Sequence, residues 1–351
     1  MPENKDTIAS IQTLRAIAAM FVVTMHEQFY FSAYAKLVRA PLPAMSSWHN
    51  FLTFGGMGVD LFFIISGFIM AYLAARNPEQ TLGEFFRRRV TRIVPLYWLI
   101  TCFWLWKDPH HSAAYIFRSF FFIPVQDVFP LTGVGWTLNM EMFFYVIFGL
   151  IVIGLRRSVL WIAAIFLMLT IAGQFSNNYI LKFYADPLIW CFFAGIVIHR
   201  LYRHPIVMRL APVFLLLGVA GLVDACLNFM APSALAVQTV IRWGCPCALL
   251  TLGCVSLEAG STWNAFWRIR LVQALGAASY SIYLVHPIGF ANINFYLLQY
   301  TSAVNILGPD GAVLLLICAT ALAVYLVHLF IELPSIEVLR AGRALAARAV
   351  G

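Results

Sequence analysis

Residues 11–33 read IQTLRAIAAMFVVTMHEQFYFSA. A helix needs about 20 apolar residues to cross the ~30 Å hydrocarbon layer of a bilayer, and this run has that length. Three ionisable residues sit inside it: Arg15, His26 and Glu27. Arg15 and His26 are eleven positions apart, which on a helix is three turns plus about 20°, so they share a face at a separation of about 16 Å. An ionisable group at mid-bilayer costs roughly 2.5 kcal/mol or more, which makes each a functional candidate by default. The plain alternative is that Arg15 snorkels to the headgroups and His26 bonds a neighbouring helix.

The rest of the chain has the same character. Hydrophobic residues make up 62% of the 351 and charged residues 11%. A soluble domain carries about 25% charged residues, so this chain is mostly embedded in a bilayer. Nine further apolar runs fit a crossing: 50–75, 92–106, 136–155, 158–175, 183–200, 210–229, 236–257, 277–300 and 310–331. The stretch 112–125 is shorter and holds Arg118 and Pro124, and reads as re-entrant or interfacial. The expectation is an all-α polytopic transmembrane bundle of about ten spans, forming one domain over residues 1–351 with no appended soluble domain. The first run is long and lacks a small-residue cleavage site, so it reads as a retained span.

Sidedness follows from the positive-inside rule. With ten spans and the N-terminus inside, the inner segments, including the basic tail with Arg343 and Arg348, carry 16 Lys and Arg and the outer segments carry 5. Making 112–125 a full span would reverse every later loop, so both termini are expected in the cytoplasm. The net charge of +8 is explained by these loops, and no nucleic-acid partner is implied. The seven cysteines fall mostly in apolar runs without zinc-type spacing, which indicates neither a disulfide framework nor a metal site. Cys245-Pro-Cys247 reads as apolar filler in a proline-broken helix.

Four other segments carry polar groups at membrane depth. The run at 136 opens Trp136-Thr137-Leu138-Asn139-Met140-Glu141. Counting in from the run's outer end puts Glu141 about 7 Å deep, the depth of His26. A carboxylate there would orient the imidazole and raise its basicity, as a general base requires. The alternative is a Glu–His bond that only joins helices. In Glu84-Phe85-Phe86-Arg87-Arg88-Arg89-Val90-Thr91-Arg92, Arg88 or Arg89 shares a helix face with Arg92. Guanidinium forks suit phosphate oxygens, although orientation signal and anionic lipid binding also account for the cluster. Gly55-Gly56-Met57-Gly58-Val59-Asp60 leads to Ser66, where the glycines suit close helix packing. Ser279-Tyr280-Ser281-Ile282-Tyr283-Leu284-Val285-His286-Pro287 sets a histidine before a proline, a structural or pocket-lining arrangement. Glu332 and His328 read as interfacial, and Asp186, Asp224 and Arg242 have no evident place.

Together these segments resemble the acyltransferase-3 family, most closely its stand-alone members that O-acetylate exopolysaccharides or other surface glycans. The resemblance rests on Leu14-Arg15 with His26; Gly58-Val59-Asp60-Leu61-Phe62-Phe63 with Ser66-Gly67-Phe68; Phe86 to Tyr97; Trp136-Thr137-Leu138 with Glu141 and Phe144-Tyr145; and Ser279-Tyr280-Ser281 with His286-Pro287. It implies transfer of an acyl group, typically acetyl, from cytoplasmic acyl-CoA to a glycan hydroxyl. Acetyl-CoA is then a substrate and no permanent cofactor is required. Arg89 and Arg92, with Arg88 and Tyr97 beside them, would hold the CoA nucleotide. His26 would be base or transient acyl carrier, with Arg15 and Glu141 supporting it. Asp60, Ser66, Trp136, Tyr280 and His286 would line the substrate pocket. The implied partners are a carbohydrate or glycolipid acceptor, the bilayer of the inner (cytoplasmic) membrane and polysaccharide biosynthesis proteins. Many members carry an acid just before the Leu-Arg, whereas this chain reads Ile11-Gln12-Thr13. Two rivals remain at this stage: a glycan or ion transporter, for which no internal repeat is visible, and a non-catalytic partner of a polysaccharide synthase.

Overall fold

The computed structural model describes residues 8–38, 54–126, 128–228, 240–260, 264–288 and 303–338. The N-terminal Lys5, Arg39 and the basic tail lie outside the described residues. Every regular element among the described residues is helical. In chain order they are α1 (Ala9–Val38), α2 (Met57–Arg76), α3 (Leu82–Lys107), α4 (Ala113–Phe120), α5 (Trp136–Phe148), α6 (Leu160–Phe175), α7 (Tyr179–Tyr184), α8 (Trp190–Leu201), α9 (Pro205–Leu227), α10 (Cys245–Ala259), α11 (Asn264–Trp267), α12 (Arg270–Ala277), α13 (Ser279–Ile288) and α14 (Ala303–Val327). Three π-helical segments, Gly149–Gly154, Val240–Gly244 and His328–Glu332, extend or precede α5, α10 and α14.

Among the described residues, six helices are long and apolar enough to cross a bilayer: Ala9–Ser32, Met57–Arg76, Gly133–Gly154, Pro205–Leu227, Val240–Ala259 and Ile306–Val338. The other four expected runs fall on α3, α6, α8 and α13. α6 and α8 are apolar but shorter. The first half of the run at 277–300 is α13, set off from α12 at Ala278, and its second half lies outside the described residues. The segment 112–125 forms only the eight-residue α4, about 12 Å long and too short to cross. It docks on α3, where Tyr97 Oη donates to Ser119 O at 2.7 Å and Trp98 Nε1 to Phe120 O at 2.9 Å.

α3 starts ten residues before the apolar run expected at 92. The cause is a capping box: Glu84 N donates to Thr81 Oγ1 at 3.2 Å, and Thr81 N donates to Glu84 Oε2 at 3.3 Å. These bonds satisfy orphan donors at the first turn and fix the helix start. The arginines of 87–92 therefore ride on a rigid helix, with Arg89 buried and Arg88 exposed.

α1 is the hub of the bundle, packed by α2, α10, α12, α13 and α14. Its first two amides, Ala9 N and Ser10 N, each donate at 2.8 Å to the Glu258 carboxylate at the end of α10. A carboxylate at a helix N-terminus satisfies free N–H groups and meets the positive end of the macrodipole. Close approach of α2 to its neighbours is set by glycine. A Cβ on Gly58 would lie 2.5 Å from Ala18 O of α1, and one on Gly67 would lie 1.9 Å from Phe192 O of α8. Backbones this near exclude any side chain, the small-residue packing that serves helices without a hydrophobic driving force between them. Seating α2 against α1 brings Val59 and Asp60 beside the second half of α1.

Candidate active site

Two chambers lie along the axes of α1, α2 and α5. The first holds about 90 Å³ and is lined by Arg15, Ser66, Arg89, Arg92, Glu141, Tyr145, Ser279 and Tyr280, among apolar groups. The second, about 620 Å³, is lined by His26, Asp60, Trp104, Trp136, Asp186 and Trp243, among others. Val59 and Tyr283 line both. Tyr283 is held by Thr137 Oγ1 at 2.8 Å and donates to Val134 O at 3.2 Å.

The first chamber is a cationic site. Three guanidinium groups face one lining carboxylate, Glu141. Arg15 Nε donates to Ser279 Oγ at 3.0 Å and its Nη1 to Gln12 Oε1 at 3.4 Å. Arg89 lies over the Tyr145 ring, Cζ 5.9 Å from the centroid. Its Nε is buried with no hydrogen-bond acceptor among the described residues. A buried donor without a partner is costly, so it marks a place where an acceptor-rich ligand fits. Glu141 Oε1 accepts from Ser66 Oγ at 2.8 Å and from Tyr145 Oη at 2.5 Å. Glu141 is thus engaged on the Arg15 side, and the expected His26–Glu141 pairing is replaced by these bonds. Equal depth along two helices carries no information about which way each side chain points.

His26 has a different neighbour. His286 Nε2 lies 3.4 Å from His26 Nδ1, and the rings are 5.0 Å apart. His26 Nδ1 is also 2.9 Å from Val22 O, and His286 Nδ1 is 2.9 Å from Ile282 O. A carbonyl only accepts, so each Nδ1 carries hydrogen in the neutral ring and each Nε2 carries the lone pair. His286 then accepts from the Nδ1–H edge of His26 beside Val22 O, and the two acceptors together hold the tautomer in which His26 Nε2 is the basic atom. His286 is fully buried and stands behind His26, outside the lining of either chamber.

Among the other sequence candidates, Ser66 and Tyr280 line the first chamber, and Asp60 and Trp136 the second. Tyr280 Oη donates to Ile93 O at 2.7 Å, tying α13 to α3. Arg88 and Tyr97 are not among the lining residues. Arg88 faces outward, and the Tyr97 hydroxyl is committed to Ser119 O. Glu332 and His328 are buried, unlike the interfacial pair expected. His328 Nδ1 lies 2.6 Å from Glu332 Oε2, which also accepts from Ser281 Oγ at 2.5 Å. Ser279, Tyr145 and Tyr283 stand in the quoted motifs but had no site role in the sequence reading. Tyr145 lies four residues beyond Glu141, one helical turn on, and that spacing was the available signal. Asp186 accepts from Leu188 N at 2.8 Å, while Asp224 accepts from Asn228 Nδ2 at 2.7 Å and Arg242 donates to Asn228 O.

The acyltransferase-3 family profile, described as an acyltransferase domain, matches residues 8–331. The exopolysaccharide production protein ExoZ of Rhizobium meliloti is 34% identical over 268 residues, 69% of this chain and 78% of ExoZ. An O-acetyl transferase of Shigella phage Sf6 is 27% identical over 47% of this chain, and O-acetyltransferase OatA of Staphylococcus aureus is 22% identical over 81%. The matched regions span 53% of each of those two proteins. No solved structure matches the chain. With the family profile covering nearly all of the described helices, the chain belongs to the acyltransferase-3 family and is an acyltransferase.

Proposed function

We propose that this enzyme moves an acetyl group from acetyl-CoA to a hydroxyl of a surface or exported glycan. The observation that carries the reading is the juxtaposition of two chambers across Val59 and Tyr283, one cationic and one containing His26. Arg15, Arg89 and Arg92 supply guanidinium groups for the CoA phosphates. The thioester arm reaches past Tyr283 toward His26. There the Nε2 lone pair takes the proton of the acceptor hydroxyl as its oxygen attacks the thioester carbonyl. The C–S bond breaks, the ester forms, and the thiolate leaves and takes up the proton from His26. Charge on the carbonyl oxygen would be stabilised in this buried setting by donors preorganised near it. The names of the relatives, an exopolysaccharide production protein and O-acetyltransferases, support both the acetyl group and the glycan acceptor.

The proposed arrangement has ten membrane crossings, with α3, α6, α8 and the α13 run completing the six long apolar helices. Both termini then lie in the cytoplasm and the enzyme resides in the inner membrane, with the first chamber on the donor side. The basic-residue asymmetry supports this orientation.

The test is labelled acetyl-CoA turnover by protein purified into nanodiscs. His26→Ala should abolish transfer while elution profile and melting temperature stay near wild type. A wild-type rate in that variant refutes the assignment.

A further inference from the structure

The two chambers differ in their basic residues. Arg15, Arg89 and Arg92 line the first, beside Glu141, whereas the described lining of the second contains no Lys or Arg. The carboxyl groups of the second are Asp60 and Asp186. Asp60 is 3% exposed, and its Oδ1 meets a weak side-chain donor, Cys191 Sγ at 3.7 Å. Asp186 holds Leu188 N with one carboxylate oxygen, leaving further acceptor capacity. Around these stand the rings of Trp104, Trp136, Trp243 and Tyr283. Trp104 Nε1 is buried without a hydrogen-bond acceptor among the described residues.

Flat apolar faces bordered by a few fixed acceptors and one donor waiting for an acceptor match a pyranose ring. Such a ring has apolar C–H faces and a rim of hydroxyl groups that both donate and accept. The space, about 620 Å³, lies within the ~300–1,000 Å³ typical of a small-molecule pocket. It suits the terminal rings of an oligosaccharide. A carboxylate brought here would be desolvated beside two other carboxyl groups with no described lining Lys or Arg to pair it, and burying an unpaired charge is strongly unfavourable.

We infer that the His26 chamber is an acceptor subsite for uncharged sugar rings, stacked on its tryptophans and bonded by Asp60 and Asp186, and that it rejects uronic acids. The inference rests on the glycan-acetylating reading and gives it a substrate class. The repulsive element is as much a part of the selectivity as the attractive one.

The experiment offers the nanodisc protein cellotetraose and β-1,4-galactotetraose, each beside its C6-oxidised uronic acid counterpart, with labelled acetyl-CoA. Acetyl-CoA hydrolysis without acceptor is measured in parallel. The neutral sugars should be used with at least about tenfold higher kcat/KM than their oxidised partners. Asp186→Asn keeps an oxygen for Leu188 N and should narrow that gap by raising use of the uronides. Trp243→Leu should raise KM for the neutral sugar several-fold without changing KM for acetyl-CoA. Consumption of acetyl-CoA with equal use of both classes, preference for the uronides, or use of neither overturns the inference and leaves the acetyltransferase reading standing. No consumption of acetyl-CoA under any condition overturns both.

Discussion

Arg89→Ala separates a guanidinium kept for a ligand from one kept for the fold. Arg89 is 8% exposed, its Cζ stands 5.9 Å above the Tyr145 ring, and its Nε has no acceptor among the described residues. The unsatisfied donor costs ~1–3 kcal/mol, and Arg15 and Arg92 add repulsion. Against this, the cation–π contact contributes ~0.5–2 kcal/mol. These terms nearly cancel, so the unliganded variant should melt within about 1 kcal/mol of wild type in either direction. With the donor bound, the balance changes. Truncating one partner of a buried charge pair costs ~2–5 kcal/mol. At about 1.4 kcal/mol per tenfold, KM for acetyl-CoA should rise by about 30-fold to several thousand-fold. The assay is initial rate against acetyl-CoA in nanodiscs, paired with thermal melts with and without CoA. The wild type should gain stability from CoA, and the variant should lose most of that gain. Arg89→Lys should recover only part of it, because an ammonium keeps the charge and loses the fork. A large drop in unliganded stability with unchanged KM would refute the reasoning and make Arg89 a structural residue.

Three further perturbations test other parts of the arrangement. His286→Leu removes one of the two acceptors facing His26 Nδ1–H, leaving Val22 O, and should lower kcat several-fold at unchanged KM for both substrates, with a shifted pH–rate profile; His286→Gln keeps an acceptor and should restore much of the rate, and equal rates in both variants would exclude a positioning role. Gly67→Ala sets a methyl 1.9 Å from Phe192 O, so melting should show a loss of ~1–3 kcal/mol; an unchanged melting temperature would mean that α2 and α8 separate at no cost. Glu258→Ala deletes two bonds to the start of α1 and should lower stability by ~1–3 kcal/mol while leaving KM for acetyl-CoA near wild type, a result that a shift in KM alone would contradict.

Much of the architecture was legible because apolar length is a strong signal. The run at 11–33 became α1, and the weak 112–125 segment became the short α4. What escaped was set by local chemistry that hydropathy does not register. The start of α3 depends on Thr81 and Glu84, two polar residues outside the apolar run, and they carry the arginines into the helix. The helix α12, Arg270–Ala277, lies before the expected span at 277 and was not anticipated. At the site, residue types were readable and partnerships were not. Glu141 and His26 share a depth, yet Glu141 bonds Ser66 and Tyr145, because helix azimuth follows from packing. His26 meets His286, 260 positions away in the chain, and no local spacing rule reaches that far. His328 and Glu332, one turn apart on a π-helical segment, turn inward to Ser281. Their position near a span end gave no hint of it.

Tyr283 has a consequence beyond substrate placement. Two polar volumes in series inside a helical bundle are most of an aqueous conduit. Between them stands a ring fixed by Thr137 and Val134 O and braced edge-on by Phe62 at 5.6 Å. In the proposed reaction it acts as a diaphragm one side chain thick. A slender thioester arm would need only to reach its edge. On that reading the molecule hands a chemical group from one chamber to the other at a partition one side chain thick, without a continuous opening between them.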